Sequence, residues 1–287
     1  LKRKTVKEST ERLFGKYSLS ELRLISRNIR VDILRMLNRA KSGHTGGSLS
    51  AVEILVSLFY VVMNHRPNEP EWEERDRFVL SKGHAAPLLY TVLAHCGYFP
   101  KEELNTLRQL GSKLQGHPKA NSLPGIEVST GSLGQGLSIA NGIALGLRLN
   151  NKRSRVYVLL GDGEIQEGMV WEAAMSASHY SISNLCAIID NNGFQIDGAV
   201  NKVMNIYPVA EKFSAFGWEV FEVNGHDFDE LIEAFNAAKR VEGKPSVIIA
   251  KTVKGKGVSF MEGKYEYHGV PPTDEELERA LKELGVS

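Results

Sequence analysis

Two short acid-and-amide segments are the best chemical candidates in this 287-residue chain, Gly161-Asp162-Gly163-Glu164 and Asp190-Asn191-Asn192-Gly193. Asp162 and Asn192 lie thirty positions apart (162 to 192), about one βαβ step, so neighbouring strand ends can bring both to one point. A carboxylate, an amide oxygen and a main-chain carbonyl are hard oxygen ligands. They are too few to cage an ion but suit a Mg²⁺ or Ca²⁺ that also grips phosphate oxygens, so the pattern predicts a diphosphate-bearing ligand. The glycines beside Asp162 let backbone approach closely, and the N-terminus of the following helix favours negative charge. Either segment alone reads equally well as a turn; turn chemistry gives no reason for the spacing between them. A dinucleotide fingerprint fails because its third glycine would fall at Gln166, and Gly255-Lys256 lacks the spacing and hydroxyl of a phosphate loop.

The histidines form a second constellation. Five of eight adjoin glycine: Gly43-His44, Gly83-His84, Gly116-His117, Gly225-His226 and His268-Gly269. Imidazoles on turns suit proton transfer and hydrogen bonding to hydroxylated or anionic ligands. His226 abuts the helix N-cap Asp227 and reads as structural, as do His65, His95 and His179. A zinc site would need a histidine pair at helical spacing or a cysteine pair, and neither occurs.

The elements that must position these residues alternate. Helices are expected over Ser20 to Lys41 and Leu49 to Asn64, the second apolar nearly all round. A strand Arg77–Leu80 leads into Gly83-His84 and a helix carrying Leu88, Leu89, Val92 and Leu93. Leu110 to Gly136 is rich in Gly, Ser, Thr and Pro and reads as a long ordered loop serving a site. A helix from Gly136 to Asn150 follows. Then come strand Val156–Leu160, helix Glu167–Tyr180, strand Leu185–Asp190, helix Pro208–Phe216 and strand Trp218–Val223. A helix capped by Asp227, strand Ser246–Lys251 and a last helix capped by Thr273 complete the series. The pattern predicts an α/β fold with a mostly parallel sheet flanked by helices, its ligand beyond the strands' carboxyl ends.

Apolar residues make up 42% and charged residues 24%, which excludes a disordered or collagen-like chain. A net charge of +1 gives no general field for nucleic acid or an anionic membrane. The most apolar stretch, Ile54 to Met63, is half a membrane span. The start has no apolar signal core, and Cys96 and Cys186 are too few for a disulfide framework, so a cytoplasmic location is expected. Residues 1–18 read as a polar lead-in.

Gly161-Asp162-Gly163 followed by Asp190-Asn191-Asn192 resembles the thiamine diphosphate motif. The strings SGHTGGSLSAVEIL, DRFVLSKGHAAPLLY, GSLGQGLSIANGIALG, GDGEIQEGMVWEA and KTVKGKG…YHG resemble transketolase, from about Leu19 to Pro272. The resemblance implies a thiamine diphosphate-binding fold, with residues 19–287 forming its diphosphate-binding domain. Asp162, Asn192 and the main-chain carbonyl of Phe194 would ligate Mg²⁺, with Ca²⁺ or Mn²⁺ able to substitute. Gly163, His84, His268 and Lys251 would meet the diphosphate, and Gly131, Ser132 and Leu133 the aminopyrimidine. His44, His117 and His268 would contact the sugar donor and shuttle protons, and Glu167 would join an acidic network between the two sites of a dimer. The implied activity is transfer of a two-carbon ketol unit from a ketose phosphate to an aldose phosphate.

Transketolases also carry pyrimidine-binding and C-terminal domains that are absent from this sequence. The expectation is therefore the N-terminal subunit of a split transketolase, active with a second subunit in an α₂β₂ assembly. Rival readings are the α subunit of a 2-oxoacid dehydrogenase first component, a deoxyxylulose-phosphate synthase-like enzyme, a cofactor-binding subunit without catalysis, and a truncated chain. The histidine-glycine pairs and the SKGHAAPLLY and GSLGQG wording favour transketolase over the first two, and the full set of site residues speaks against the third.

Overall fold

Five strands alternate with helices because runs such as Val156 to Leu160 and Leu185 to Ile189 are apolar on both sides, as strands covered on both faces require. The computed structural model describes residues 13–286, so the first twelve residues of the expected lead-in lie outside the described part. A small hairpin, β1 (Leu13–Phe14) and β2 (Tyr17–Ser18), leads into α1 (Leu19–Ala40). Ser18 and Glu21 cap α1 reciprocally.

The main sheet comprises β3 (Arg77–Leu80), β4 (Val156–Gly161), β5 (Leu185–Asn191), β8 (Glu219–Asn224) and β9 (Ser246–Lys251). Its order is β3-β4-β5-β9-β8 and every pairing is parallel. A second hairpin, β6 (Phe194–Gln195) with β7 (Gly198–Ala199), follows β5. The strand period of two divides the core. Phe78, Leu80, Tyr157, Leu159, Ile188 and Ile248 pack with α1, α3 (Val52–Ser57), α4 (Ala86–Cys96) and α9 (Phe228–Arg240). Val79, Val158, Leu160, Ala187, Ile189 and Val247 pack on the other face with α5 (Gln135–Leu149), α6 (Gly168–His179) and α8 (Val209–Ala215). The short α7 (Val200–Val203) and α10 (Asp274–Glu283), capped by Thr273 as expected, complete the helices.

One helix differs from its expected form. In place of a single helix from Leu49 there is α2 (Thr45–Ser50), a break at Ala51, α3, and a π-helical turn over Leu58–Val62. Gly46 and Gly47 hid the early start because side-chain periodicity is silent where there are no side chains. Burial on all sides is as expected: α2 and α3 are entirely buried. Leu110 to Gly134 contains no helix or strand, in keeping with an ordered loop.

The start of α5 sits directly on the end of β3. A Cβ added at Gly136 would lie 2.4 Å from both Cβ and Oγ of Ser81, so only glycine allows this approach. Gly136→Ala is expected to cost about 1–3 kcal/mol through overpacking, read as a lowered midpoint in urea denaturation.

Candidate functional site

The register Gly161↔Asp190 and Asn191↔Lys251 brings β4, β5 and β9 to a common edge, where Asp162 and Asn192 emerge side by side. Both are buried, at 1% and 9% exposure. Asp162 accepts from the Gly163 N–H at 2.8 Å and the Gly193 N–H at 2.5 Å. Burial, reinforced by the charge of Asp190, pushes its carboxyl up to about 6. Asn192 Oδ1 accepts from the Phe194 N–H at 3.1 Å, while its Nδ2 donates to Asp190 Oδ2 at 3.1 Å.

Asp190 is the hub of the site and is fully buried. Its carboxylate also accepts from Lys82 Nζ at 2.5 Å, Ser50 Oγ at 2.5 Å and Thr252 Oγ1. Burial alone would raise its pKa, but Lys82 and these hydroxyls hold it below the ordinary carboxylate range. Lys82 Nζ donates also to the Gly47 carbonyl at 3.0 Å. The ends of β3, β5, β9 and α2 are thus tied to one carboxylate. A second buried acid, Glu164, accepts from Ser81 Oγ at 2.5 Å and from the N–H groups of Gly134 and Gly161, each at 2.9 Å. Burial raises its pKa despite these donors.

Four of the five glycine-adjacent histidines meet above this floor. His44 N-caps α2, His84 follows β3 in a single 3₁₀ turn, His117 lies in the long loop and His268 closes a turn after Tyr265–Tyr267. The His44 ring centroid is 5.2, 6.1 and 5.5 Å from those of His84, His117 and His268. Burial and neighbouring cations keep all four neutral: His44 falls to about 4, His268 to about 3, His84 well below its ordinary value, and His117 is lowered. Nδ1 of His44 is buried with no hydrogen-bond partner among the described residues. Lys254 Nζ lies 2.8 Å from His268 Nδ1 and donates to the Phe194 carbonyl at 3.3 Å. Burial and Lys82 lower Lys254 to about 8.

Asp162, Gly163, Asn192, Phe194, His84, His268, Leu133 and Glu167 line one cavity of about 180 Å³, together with Lys82 and Lys254. Gly131 closes against Gly83 and His117, and Ser132 is exposed beside it. Lys251 does not line the cavity. It is exposed at the end of β9, whereas Lys254, three residues further on, lines the cavity. Gly255 N–H donates to the Gly46 carbonyl at 3.0 Å, which swings Lys254 inward.

A divalent cation and a diphosphate fit these residues. The desolvated Asp162 carboxylate would be relieved by a cation, and the buried Lys254 ammonium, which has no carboxylate partner among the described residues, by an anion.

His226 is structural. Its Nδ1 is 2.9 Å from Glu53, and its Nε2 accepts the Val253 N–H at 2.9 Å. Glu53 is gripped bidentately by Arg30 at 2.6 and 2.8 Å, and Arg30 also donates to the Lys256 carbonyl at 2.8 Å. This buried network holds the loop carrying Lys254 from behind.

Sequence reasoning missed Lys82, Asp190, Glu164 and Lys254 as working parts. For Lys82 and Asp190 the available signal was an ionisable residue within two positions of the end of an apolar strand; Glu164 and Lys254 lie three residues beyond β4 and β9, where no such signal exists.

Residues 22–287 match a family model described as transketolase, thiamine diphosphate binding domain. The chain belongs to the transketolase family. It is 44% identical over 256 residues to the 6-deoxy-6-sulfo-D-fructose transketolase subunit of Clostridium sp. (strain MSTE9), covering 89% of this chain and 93% of that one. It is 41% identical over 263 residues to an apulose-4-phosphate transketolase subunit of Phocaeicola vulgatus, covering 92% and 93%. Among solved structures, transketolase from Campylobacter jejuni superposes with a TM-score of 0.89 at 36% identity. That match covers 94% of this chain and 44% of the solved one, so this transketolase-family chain spans less than half its length. No described helix is long and apolar enough to cross a membrane.

Two outcomes test these networks. Lys82→Met strands a buried Asp190 charge and is expected to cost about 3–5 kcal/mol in chemical denaturation, with part of it recovered in Lys82→Met/Asp190→Asn, where the charge is gone and an amide oxygen still accepts from the neighbouring hydroxyls. Glu53 is held at about 2, below its ordinary 4.5, because Arg30 and His226 outweigh burial. Its contribution is therefore present above pH 4.5 and lost as pH falls toward 2, and a pH series of urea melts should show that slope flattened in Glu53→Gln.

Proposed function

We propose that this chain is the cofactor-gripping N-terminal subunit of a two-subunit transketolase, moving a two-carbon ketol unit from a ketose phosphate to an aldose phosphate. The carrying observation is the meeting of buried Asp162, Asn192 and the Phe194 carbonyl with four neutral histidines at one sheet edge. When bound, thiamine diphosphate supplies the electron sink for the carbanion left by C–C cleavage.

The protein's part is binding, orientation and proton handling. Asp162, Asn192 and the Phe194 carbonyl would hold Mg²⁺, and Lys254, His84 and the Gly163 backbone would take the diphosphate. Gly131 to Leu133 would meet the aminopyrimidine. His44, His117 and His268 are neutral at physiological pH, so each offers one nitrogen that accepts a proton and one that donates. The unpartnered His44 Nδ1 is a ready partner for a sugar hydroxyl. Leu133, Phe194 and Ile196 add apolar wall that restricts water.

A second polypeptide is part of the reading. A cavity of about 180 Å³ falls short of the roughly 300–1,000 Å³ of a complete small-ligand pocket, which supports a site finished by another chain. Two relatives matched over 93% of their length are themselves named as subunits. Exposed Glu167 at the cavity's edge would face that assembly, with α₂β₂ as the proposed stoichiometry. The same relatives are named for apulose 4-phosphate and 6-deoxy-6-sulfo-D-fructose, which supports a donor whose far end is anionic.

Mixing this chain with a polypeptide carrying the pyrimidine-binding domain, thiamine diphosphate and Mg²⁺ is expected to give ketol transfer from a ketose phosphate to an aldose phosphate. Neither chain alone should exceed background. Asp162→Ala should abolish transfer and remove the thermal stabilisation by cofactor plus Mg²⁺. Full turnover by this chain by itself would overturn the reading.

A further inference from the structure

Arg108 stands apart from the cationic groups already described. It adopts a left-handed backbone conformation, φ +58°, at a residue that is not glycine. Such a conformation costs of order 1–3 kcal/mol and persists where surrounding structure imposes it. Its N–H donates to the Leu114 carbonyl at 2.8 Å, which fixes the turn. The guanidinium is laid against Gly116: a Cβ there would fall 2.6 Å from Cζ and from Nη2. Glycine directly before His117 therefore makes room for this side chain. Nη1 donates to Ser42 Oγ at 3.2 Å, two residues before His44. Arg108 is exposed, and no carboxylate pairs with it among the described residues, whereas Arg30 and Arg75 each hold a glutamate.

The guanidinium thus bridges the two segments that carry His44 and His117, on the solvent side of the histidine cluster. It lies close enough that its charge helps lower both imidazoles, after burial. A planar fork held by Ser42 and laid on Gly116, with no carboxylate partner among the described residues, has the form of an oxyanion receptor.

We propose that Arg108 is a specificity-determining residue that takes the anionic end, phosphate or sulfonate, of the sugar whose carbonyl end the histidines reach. The assignment of a sugar to the histidine cluster rests on the transketolase reading; the presence of an oxyanion site at Arg108 does not. It places one anion contact on this chain, in addition to any supplied by the partner. A phosphate and a sulfonate share the tetrahedral oxygen face that a guanidinium reads, so the residue fits either class.

Titrating inorganic phosphate into this chain while following the His117 imidazole resonances reads the site without turnover. A saturable shift is expected in the wild type, retained in weakened form in Arg108→Lys and lost in Arg108→Met. No saturable shift, or one that survives Arg108→Met, overturns the proposal. In the assembled enzyme, Arg108→Met should raise KM for a phosphorylated ketose about tenfold or more beyond any change it makes to KM for the dephosphorylated ketose. An equal rise for both sugars would make Arg108 merely structural. Absence of transfer by the assembled wild type would count against the transketolase reading alone, since the phosphate titration is independent of it.

Discussion

Asp190 is a carboxylate with no access to water, and the geometry of the site is arranged around keeping it charged. Its acceptor positions are taken by an ammonium, two hydroxyls and an amide that come from four separate parts of the chain. An isolated buried carboxylate would cost many kcal/mol, so the structure keeps it ionised only while all these donors converge. Convergence of donors is also convergence of function. The amide that satisfies Asp190 belongs to Asn192, which leaves its oxygen to accept from the Phe194 N–H, and the break after α2 is where Ser50 reaches inward.

A second charged network lies behind the first and has the same logic. Arg30, Glu53 and His226 carry no direct contact to the cavity's ligand-facing atoms, yet they hold the backbone on either side of Lys254 through the Val253 N–H and the Lys256 carbonyl. The loop after β9 is therefore pinned from behind by ion pairing and in front by the Gly46 carbonyl. The result is a lysine whose position is set by backbone hydrogen bonds three residues deep in a loop, the rigid support that a charge-binding group requires.

The parallel character of the sheet is legible in the sequence because strands covered on both faces must be apolar throughout, and the histidine cluster because glycine beside histidine marks a turn. The motif around Asp162 and Asn192 is legible through its spacing. What is not legible depends on tertiary contact. Lys82 and Asp190 sit in their sequence segments as ordinary turn residues, and only their mutual burial reveals the ion pair. The family resemblance points to Lys251, and the inward turn at Gly255 that brings Lys254 to the cavity instead is a tertiary feature the sequence does not display. Helix α2 is hidden by the two glycines that let Lys254, Lys82 and His84 crowd against it.

The histidine cluster joins segments far apart in the sequence: the rings of His44 and His268 are 5.5 Å apart across more than two hundred intervening residues. Contacts of such long sequence separation form late, because the loop they close must lose its entropy first. On the ribosome, a nascent chain that has already made α1 to α9 still lacks one wall of its cavity until His268 has emerged. The cavity wall is thus complete only once the segment carrying His268 has folded back onto the one carrying His44, and a ligand or second chain that bound there would select molecules in which that step has taken place.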